Sequence, residues 1–171
     1  MEWLELENIR ACNDLTFITK ITGLKGLSIA GDGNSIKYMK AKSLEPITAL
    51  KNLYWLSLGT FMVEDGSLLP LAKLNKLKYL FISNKYKMEE IAKLAGIRPD
   101  VDCDIFEPFL KYDFFSCKKC GKNRMVLLTG KGKPWLCLDC DKNRIKKHIK
   151  QFNAIANEYF LKLKERRFTL I

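Results

Sequence analysis

Apolar side chains recur at one spacing in three stretches of the first half of the chain. The stretches begin at Leu15, Leu44 and Leu68 and read LTFITKITGLKGLSI, LEPITALKNLYWLSL and LLPLAKLNKLKYLFI. In each, the early apolar residues lie three positions apart, as in a helical or 3₁₀ turn, and the closing two alternate as in a strand. The pattern therefore predicts a repeated unit in which a turn-like segment leads into a strand.

Two further segments extend this pattern at its ends. Residues 3–7, WLELE, alternate as an opening strand does, and a weaker unit begins at Met88 with MEEIAKLAGIRPDVDCDIF. That unit slips by one residue at Arg98 before it closes on Val101 and Cys103. Units of one kind bury their apolar faces against their neighbours, so we expect them to stack around one continuous core.

This pattern resembles the leucine-rich repeat family, whose Leu-x-x-Leu-x-Leu core is present as LKGLSI, LYWLSL and LKYLFI. The family's Asn in the following turn is not evident here. The resemblance covers about residues 1–112 and implies an α/β fold, a short solenoid with parallel strands on its concave face. It also implies that a protein or peptide binds that face, and that such a compact protein can act as an adaptor or as an inhibitor or immunity factor.

The residues between the buried strand positions are the candidates for partner binding. Aromatic side chains are unusual on an exposed sheet face, and Trp and Tyr are enriched at binding hot spots. The alternative is that the C-terminal region folds over these aromatics, which would then belong to the core. The candidates form a groove with an aromatic centre and acidic ends: Trp3, Glu5, Glu7, Ser28, Trp55, Ser57, Tyr79, Phe81, Asp102 and Asp104.

Residues 106–116, FEPFLKYDFFS, contain five aromatics and lack the Gly, Ser and Pro content of a flexible linker. We expect this segment to cap the open end of the repeats and to fix a second domain against the first. The predicted domains are therefore 1–112, the repeats with their cap, and 113–171, a basic zinc-binding domain.

Two Cys-x-x-Cys pairs, separated by sixteen residues, lie in CKKCGKNRMVLLTGKGKPWLCLDC, residues 117–140. Four thiolates favour tetrahedral zinc, and two intervening residues allow a tight turn to point both sulfurs at one ion. An iron–sulfur centre and unrelated cysteines are the alternatives. We predict one structural zinc ion per chain, because four protein ligands leave no open coordination position. The predicted ligands are Cys117, Cys120, Cys137 and Cys140.

Between the pairs, RMVLL and KPWLC flank TGKGK, which predicts a β-hairpin with a glycine-rich turn. The residues after Cys140 predict a helix with Asp139 or Asp141 as its N-cap. This order resembles that of treble-clef zinc fingers, and Leu136 before the third cysteine is similar to GATA-type fingers. The loop is slightly shorter than theirs, and LCLDCD replaces their Asn-Ala-Cys-Gly.

The chain ends in a predicted amphipathic helix of about six turns. Its apolar stripe comprises Ile145, Ile149, Phe152, Ala156, Tyr159 and Leu163. We expect the stripe to pack on the repeats or on the finger within a monomer, with a two-helix dimer seam as the alternative. The single histidine, His148, is expected to be a surface residue among lysines and not a zinc ligand.

The net charge of +11 is concentrated at the C-terminal end of the chain. Residues 1–113 contain 15 basic and 15 acidic side chains, whereas residues 114–171 contain 15 and 4. Such a surface fits phosphate backbones or an acidic protein, and an excess of Lys over Arg favours sequence-independent phosphate contacts. The candidate nucleic-acid-binding residues are Lys131, Lys133, Lys142, Arg144, Lys146, Lys147 and Lys150.

These features together favour some functional classes and argue against others. No apolar run approaches the roughly 20 residues that span a bilayer, and no secretory signal is evident, so we expect a cytoplasmic protein. One histidine, a closed metal site and no GxxxxGK[ST] motif argue against an enzyme. The sequence therefore predicts a non-enzymatic protein-interaction module, with a nucleic-acid-binding protein as the alternative.

Overall fold

A computed structural model describes residues 1–9, 13–32 and 38–168, the last three by their backbone alone. Its strands and α-helices are, in chain order, β1 (Trp3–Glu7), β2 (Gly26–Ala30), β3 (Met39–Ala41), β4 (Trp55–Gly59), β5 (Phe61–Val63), β6 (Tyr79–Ile82), α1 (Met88–Ile97), β7 (Phe109–Tyr112), β8 (Met125–Leu128), β9 (Trp135–Cys137) and α2 (Lys142–Phe168). Short 3₁₀ helices span Thr16–Lys20, Glu45–Ala49, Leu69–Lys73 and Asp104–Phe106. The fold is mixed α/β, with a parallel sheet and a long C-terminal helix, as the sequence predicts.

The chain forms two compact units. Unit 1 comprises Met1–Tyr86 and Arg98–Cys103, and unit 2 comprises Lys87–Ile97 and Asp104–Ile171. These units differ from the domains expected from the sequence, which divide after residue 112. Two segments expected among the repeats and their cap fall in unit 2: Lys87–Ile97, which contains helix α1, and Phe109–Tyr112, which pairs as strand β7 with β8.

Unit 1 contains a four-stranded parallel sheet in the order β1-β2-β4-β6. Its strands are aligned so that Leu4 pairs with Leu27, Leu27 with Leu56, and Leu56 with Leu80. A second, two-stranded parallel sheet joins β3 to β5. The strands closing the three aligned stretches are thus adjacent and in register.

Each of these stretches enters its strand through a 3₁₀ helix. The backbone N–H groups of Ile18, Ile47 and Leu71 donate to the carbonyl three residues earlier, at 3.0, 3.0 and 3.1 Å. Proline stands in the first turn of the second and third helices, where its missing N–H costs nothing. The aligned apolar positions are buried except Ile21: Leu15, Ile18, Leu24, Leu27, Ile29, Leu44, Ile47, Leu50, Leu53, Leu56, Leu58, Leu68, Leu71, Leu74, Leu77, Leu80 and Ile82.

Arg98 attaches the last segment of unit 1 to the sheet. Its buried guanidinium donates to the carbonyls of Leu74 (2.5 Å) and Leu77 (2.8 Å) and pairs with Asp100. The hydrogen bond from Arg98 holds the pKa of the Asp100 carboxyl well below its usual range. Asp102 then bridges to β6, with its N–H 2.8 Å from the carbonyl oxygen of Lys78. The one-residue slip in the sequence pattern therefore occurs at Arg98, whose side chain donates hydrogen bonds to the turn of the preceding repeat within unit 1.

Unit 2 consists of an antiparallel sheet, β7-β8-β9, and the helices α1 and α2. Its core is formed by Val126, Leu128, Leu136 and Ile145, with Phe109, Leu138 and Ile149 packed against them. The N-terminal half of the predicted stripe on α2 is thus buried within the chain, against the β7-β8-β9 sheet that lies between and beside the cysteine pairs. This agrees with the expected packing of the helix in cis.

Helices α1 and α2 approach each other at Gly96. A Cβ atom at this position would lie only 2.1 Å from the carbonyl oxygen of Ala156, so the absence of a side chain permits backbone contact. Close by, the Lys93 ammonium lies 5.8 Å from the centroid of the Tyr159 ring. The glycine is therefore a packing requirement of this helix pair.

We expect Gly96→Ala to destabilise unit 2 by about 1–3 kcal/mol, because the two backbones must separate. Alanine would otherwise favour a helix by about 0.5–1 kcal/mol, so the contact decides the sign. Gly23→Ala is the control, since the nearest atom to its Cβ is 3.8 Å away. Denaturant unfolding measures both. A stability of Gly96→Ala equal to or above that of the native chain would contradict the packing.

Candidate functional site

The structure brings the four predicted cysteine ligands into one cluster. All four Sγ atoms lie within 4.8 Å of one another, with Cys117 to Cys140 at 3.9 Å and Cys120 to Cys137 at 3.7 Å. A disulfide would need about 2.05 Å. Tetrahedral zinc with Zn–S bonds of about 2.3 Å places sulfurs about 3.8 Å apart. The cluster therefore has the size of a metal site, and its donor set fits zinc.

The first cysteine pair lies in a tight turn built by backbone hydrogen bonds. The N–H of Cys117 donates to the carbonyl of Lys122 (2.9 Å), and the N–H of Gly121 donates to the carbonyl of Cys117 (2.8 Å). Gly121 has φ +70°, a left-handed conformation that glycine adopts without strain. Backbone N–H groups of Cys120 and Lys119 lower the pKa of the Cys117 thiol to about 7. The turn thus favours a thiolate.

The second pair lies where β9 leads into α2. Asp141, one of the two predicted N-cap residues, directly precedes the helix, and its carbonyl accepts from the N–H of Ile145. Its carboxylate accepts from the N–H of Cys137 at 3.0 Å, which lowers the pKa of Asp141. One side chain therefore ties the third ligand to the start of the helix.

Carboxylates of the finger are paired with nearby cations. Asp139 lies 3.5 Å from Lys122 and 3.2 Å from Arg124, and Asp141 lies 3.8 Å from Lys119 and 3.7 Å from Arg144. Such partly exposed pairs contribute at most about 1 kcal/mol each. The pairs join cations of the first cysteine turn to carboxylates on either side of Cys140.

His148 is buried, with 4% of its surface exposed, so the expectation of a surface histidine is wrong. It lies three residues after Ile145 and four before Phe152, which places it on the buried face of α2. That spacing was visible in the sequence. Burial and the positive charge of Lys133 lower its pKa, so the ring is neutral at pH 7. It does not belong to the cysteine cluster.

The candidate partner-binding residues of unit 1 alternate with the leucines, as the strand pattern predicts. Trp3, Tyr79 and Phe81 are 60, 44 and 55% exposed, and Trp55 is half-buried. Glu5, Glu7 and Asp102 are exposed, while Ser28 and Ser57 are half-buried. Asp104 begins a 3₁₀ helix and belongs to unit 2, so it is not counted with the residues of this sheet. We name the exposed side of this sheet the aromatic face: Trp3, Glu5, Glu7, Ser28, Trp55, Ser57, Tyr79, Phe81 and Asp102.

Two residues that contact the rings of this face were missed by sequence reasoning. Gly26 pairs with both Trp3 and Trp55, and a Cβ atom there would lie 1.9 Å from the Trp3 ring. Glycine thus lets Trp3 lie across β2, with its ring centroid 5.9 Å from that of Trp55. Tyr54, 45% exposed, lies 5.3 Å from Tyr79 in an edge-on arrangement. Aligning the three stretches shows the glycine among aromatics, which is a usable signal.

Unit 2 also carries exposed aromatic and basic residues. Phe114, Phe115 and Trp135 are 70, 47 and 43% exposed, and Tyr112 contacts all three rings. The predicted nucleic-acid-binding lysines are exposed except Lys133, which is half-buried. Among those seven candidates, only Arg144 has an ion pair with a described carboxylate. No helix in the described part of the chain is long and apolar enough to cross a membrane.

No family model and no curated protein matches the chain. Among solved structures, the chain is similar to an internalin (InlF) from Listeria monocytogenes, with 19% sequence identity and a TM-score of 0.39. The similarity covers 60% of this chain and 40% of the internalin chain.

We expect metal analysis of the purified chain to find one zinc ion per molecule. Cys120→Ser should lower the content well below one and destabilise unit 2, because structural zinc supplies folding free energy. Cys103→Ser, a buried cysteine of unit 1, should retain zinc. Iron with inorganic sulfide in place of zinc, or full zinc retention in Cys120→Ser, would refute the assignment.

Proposed function

We propose that this chain is a non-enzymatic protein-interaction module that binds a protein partner through its aromatic face. The observation that carries the proposal is the exposure of Trp3, Tyr79 and Phe81 on one side of a regular parallel sheet. The buried leucines on the other side of the strands already supply the core of unit 1. These three side chains are therefore not part of the buried core of unit 1, and exposed groups of this kind mark binding surfaces.

The rings of this face are held in position before any partner arrives. Trp3 contacts Trp55, and Tyr54 contacts Tyr79, with ring centroids 5.9 and 5.3 Å apart. A hydrogen bond with Tyr79 also raises the pKa of the Tyr54 hydroxyl. Rigid aromatic side chains lose little conformational entropy on binding, which makes them effective anchors. The arrangement therefore supports recognition of a protein surface.

The repeated architecture supports a leucine-rich-repeat solenoid of the adaptor or inhibitor type. Three turns of one kind lead into adjacent strands in register, and each strand offers its outward positions to the same face. Two further features favour binding over catalysis. Four cysteines form a closed donor set for structural zinc, and His148 is neutral and buried beside the core of unit 2.

To test the proposal, a partner is first captured from native cells with the unmodified chain. Its affinity is then measured for a triple variant, Trp55→Ala, Tyr79→Ala and Phe81→Ala. We expect the affinity of the triple variant for the partner to fall at least a hundredfold, because each hot-spot residue contributes about 2 kcal/mol or more to the binding free energy. The double variant Phe17→Ala, Leu69→Ala is the control. These residues are 40 and 36% exposed and lie in the 3₁₀ helices, outside the aromatic face. Unchanged affinity of a folded triple variant would sink the proposal.

A second candidate function is nucleic-acid binding by unit 2. Lys142, Lys146 and Lys150 are exposed at four-residue spacing along α2, and none has a described carboxylate within ion-pair distance. The same unit exposes Phe114, on which bases could stack. Lysines along one flank of a helix suit contacts with phosphates.

Binding of fluorescent duplex DNA and single-stranded RNA at several salt concentrations tests this candidate. Lys142→Glu, Lys146→Glu and Lys150→Glu together should reduce the salt slope for the duplex by about 3, since each phosphate contact contributes about 0.9. The same charge reversal at Lys20, Lys51 and Lys76 of unit 1 is the control. If neither the duplex DNA nor the single-stranded RNA binds at low salt, nucleic-acid binding is eliminated as a function.

A further inference from the structure

A cleft of about 660 Å³ lies at the carboxyl ends of the strands in unit 1. Its floor is formed by Ala30 and Gly59, which are paired in the register of β2 and β4. Glu7 lies in the same row on β1 and also lines the cleft. Phe81 of β6 lines the cleft on the opposite side. The cleft thus lies at the edge of the aromatic face and shares Glu7 and Phe81 with it.

The gap exists because the floor residues are too small to fill it. A Cβ atom on Gly59 would lie 3.8 Å from the Phe81 ring, an ordinary van der Waals distance. A larger side chain at this position would therefore occupy the space beside that ring. In the adjoining row, Ser28 pairs with Ser57, so small side chains continue across the two central strands.

The backbone turns sharply where the cleft begins. Asn8 and Thr60 have φ angles of 54° and 43°, and each directly follows a residue of the floor row. The N–H of Asn8 donates to the carbonyl of Ala30 (3.0 Å), and the carbonyl of Thr60 accepts from Met39 (2.9 Å). A β-branched residue rarely adopts this left-handed conformation, and such residues cluster at binding sites. Both residues line the cleft.

The charge of the cleft favours a cation. Glu7 and Asp32 line it, and Glu5 is exposed one row away on the same strand. Glu5 and Glu7 have no ion pair with any side chain that the structure describes. The aromatic lining comprises Phe81 and Tyr38, and a ring face attracts a cation. The chain's own Lys85 ammonium already lies 6.0 Å from the centroid of the Tyr38 ring.

We propose that this cleft receives a lysine or arginine side chain of the protein partner, a conclusion that rests on the proposed function. The aliphatic stem of that side chain would cross the floor at Ala30 and Gly59, beside the Phe81 ring. Its charged head would reach the Glu7 carboxylate. An acidic or uncharged side chain would leave the Glu7 carboxylate without a counter-charge, so the partner's contact surface is basic at this point.

The first experiment titrates the isotopically labelled, zinc-loaded full chain with the N-acetyl methylamides of lysine, arginine and norleucine, observed by NMR. The cationic probes should give saturable shifts at the amides of Ala30 and Gly59, with at least tenfold weaker binding of norleucine. Glu7→Gln should weaken the cationic probes several-fold, as expected for loss of a partly exposed charge pair. Gly59→Leu should abolish the shifts by filling the cleft.

Glu64→Gln is the matched control, because Glu64 is an exposed carboxylate of the same unit outside the cleft. It should leave the affinities unchanged. Should Gly59→Leu fail to fold, Glu7→Gln still decides the charge requirement. Equal binding of norleucine, or equal affinity of Glu7→Gln and the native chain for both cationic probes, would overturn the proposal.

The captured partner separates this inference from the function on which it rests. We expect Glu7→Gln and Gly59→Leu each to lower the affinity for the partner at least several-fold, whereas Glu64→Gln should bind the partner as the native chain does. If the triple aromatic variant loses the partner while both cleft variants bind normally, the cleft assignment is wrong and the interaction face stands. If all of these variants bind normally, both are wrong.

Discussion

The in-register row of leucines across the parallel sheet is the contact on which the rest of unit 1 depends. Leu27 and Leu56 are fully buried, and Leu80 continues the row on the next strand. Because side chains alternate along a strand, burial of one row directs the neighbouring positions to the opposite face. The exposure of Trp3, Tyr79 and Phe81 thus follows from the same register that forms the core.

The sequence predicts features that depend on local spacing. Leucines three residues apart predict the 3₁₀ turns, alternation predicts the strands, and two Cys-x-x-Cys pairs predict the cysteine cluster. Contacts between distant residues were not predictable in this way. The backbone contact of Gly96 with Ala156 and the passage of Trp3 over Gly26 depend on which elements become neighbours. Spacing alone does not specify those neighbours.

Two differences between the sequence-based expectations and the structure have physical causes of the same kind. His148 looked like part of a charged surface because lysines surround it in sequence, yet its helical position places it with Ile145 and Phe152. Residues 109–112 were expected as a cap because the segment is aromatic, and the structure shows that they form the edge strand of the β7-β8-β9 sheet. In both cases tertiary pairing, which composition does not reveal, determined the outcome.

The two units solve different stability problems. Unit 1 relies on a repeated apolar core. In unit 2, four thiolates at the turns would add a metal-dependent constraint to the apolar core. Asp141 links that constraint to the start of α2 through the N–H of Cys137. A metal ion held by these four cysteines would therefore have a structural role, and we assign recognition of a partner to the side chains of the aromatic face.

Hydrogen exchange of the full chain, with and without its captured partner, tests the interaction face most directly. The account predicts that the partner slows exchange in peptides that contain β1, β4 and β6, and in the turns around the cleft. It also predicts little change in the 3₁₀ segments at Thr16–Lys20 and Leu69–Lys73. Protection confined to those 3₁₀ segments or to α2 would contradict recognition by the aromatic face.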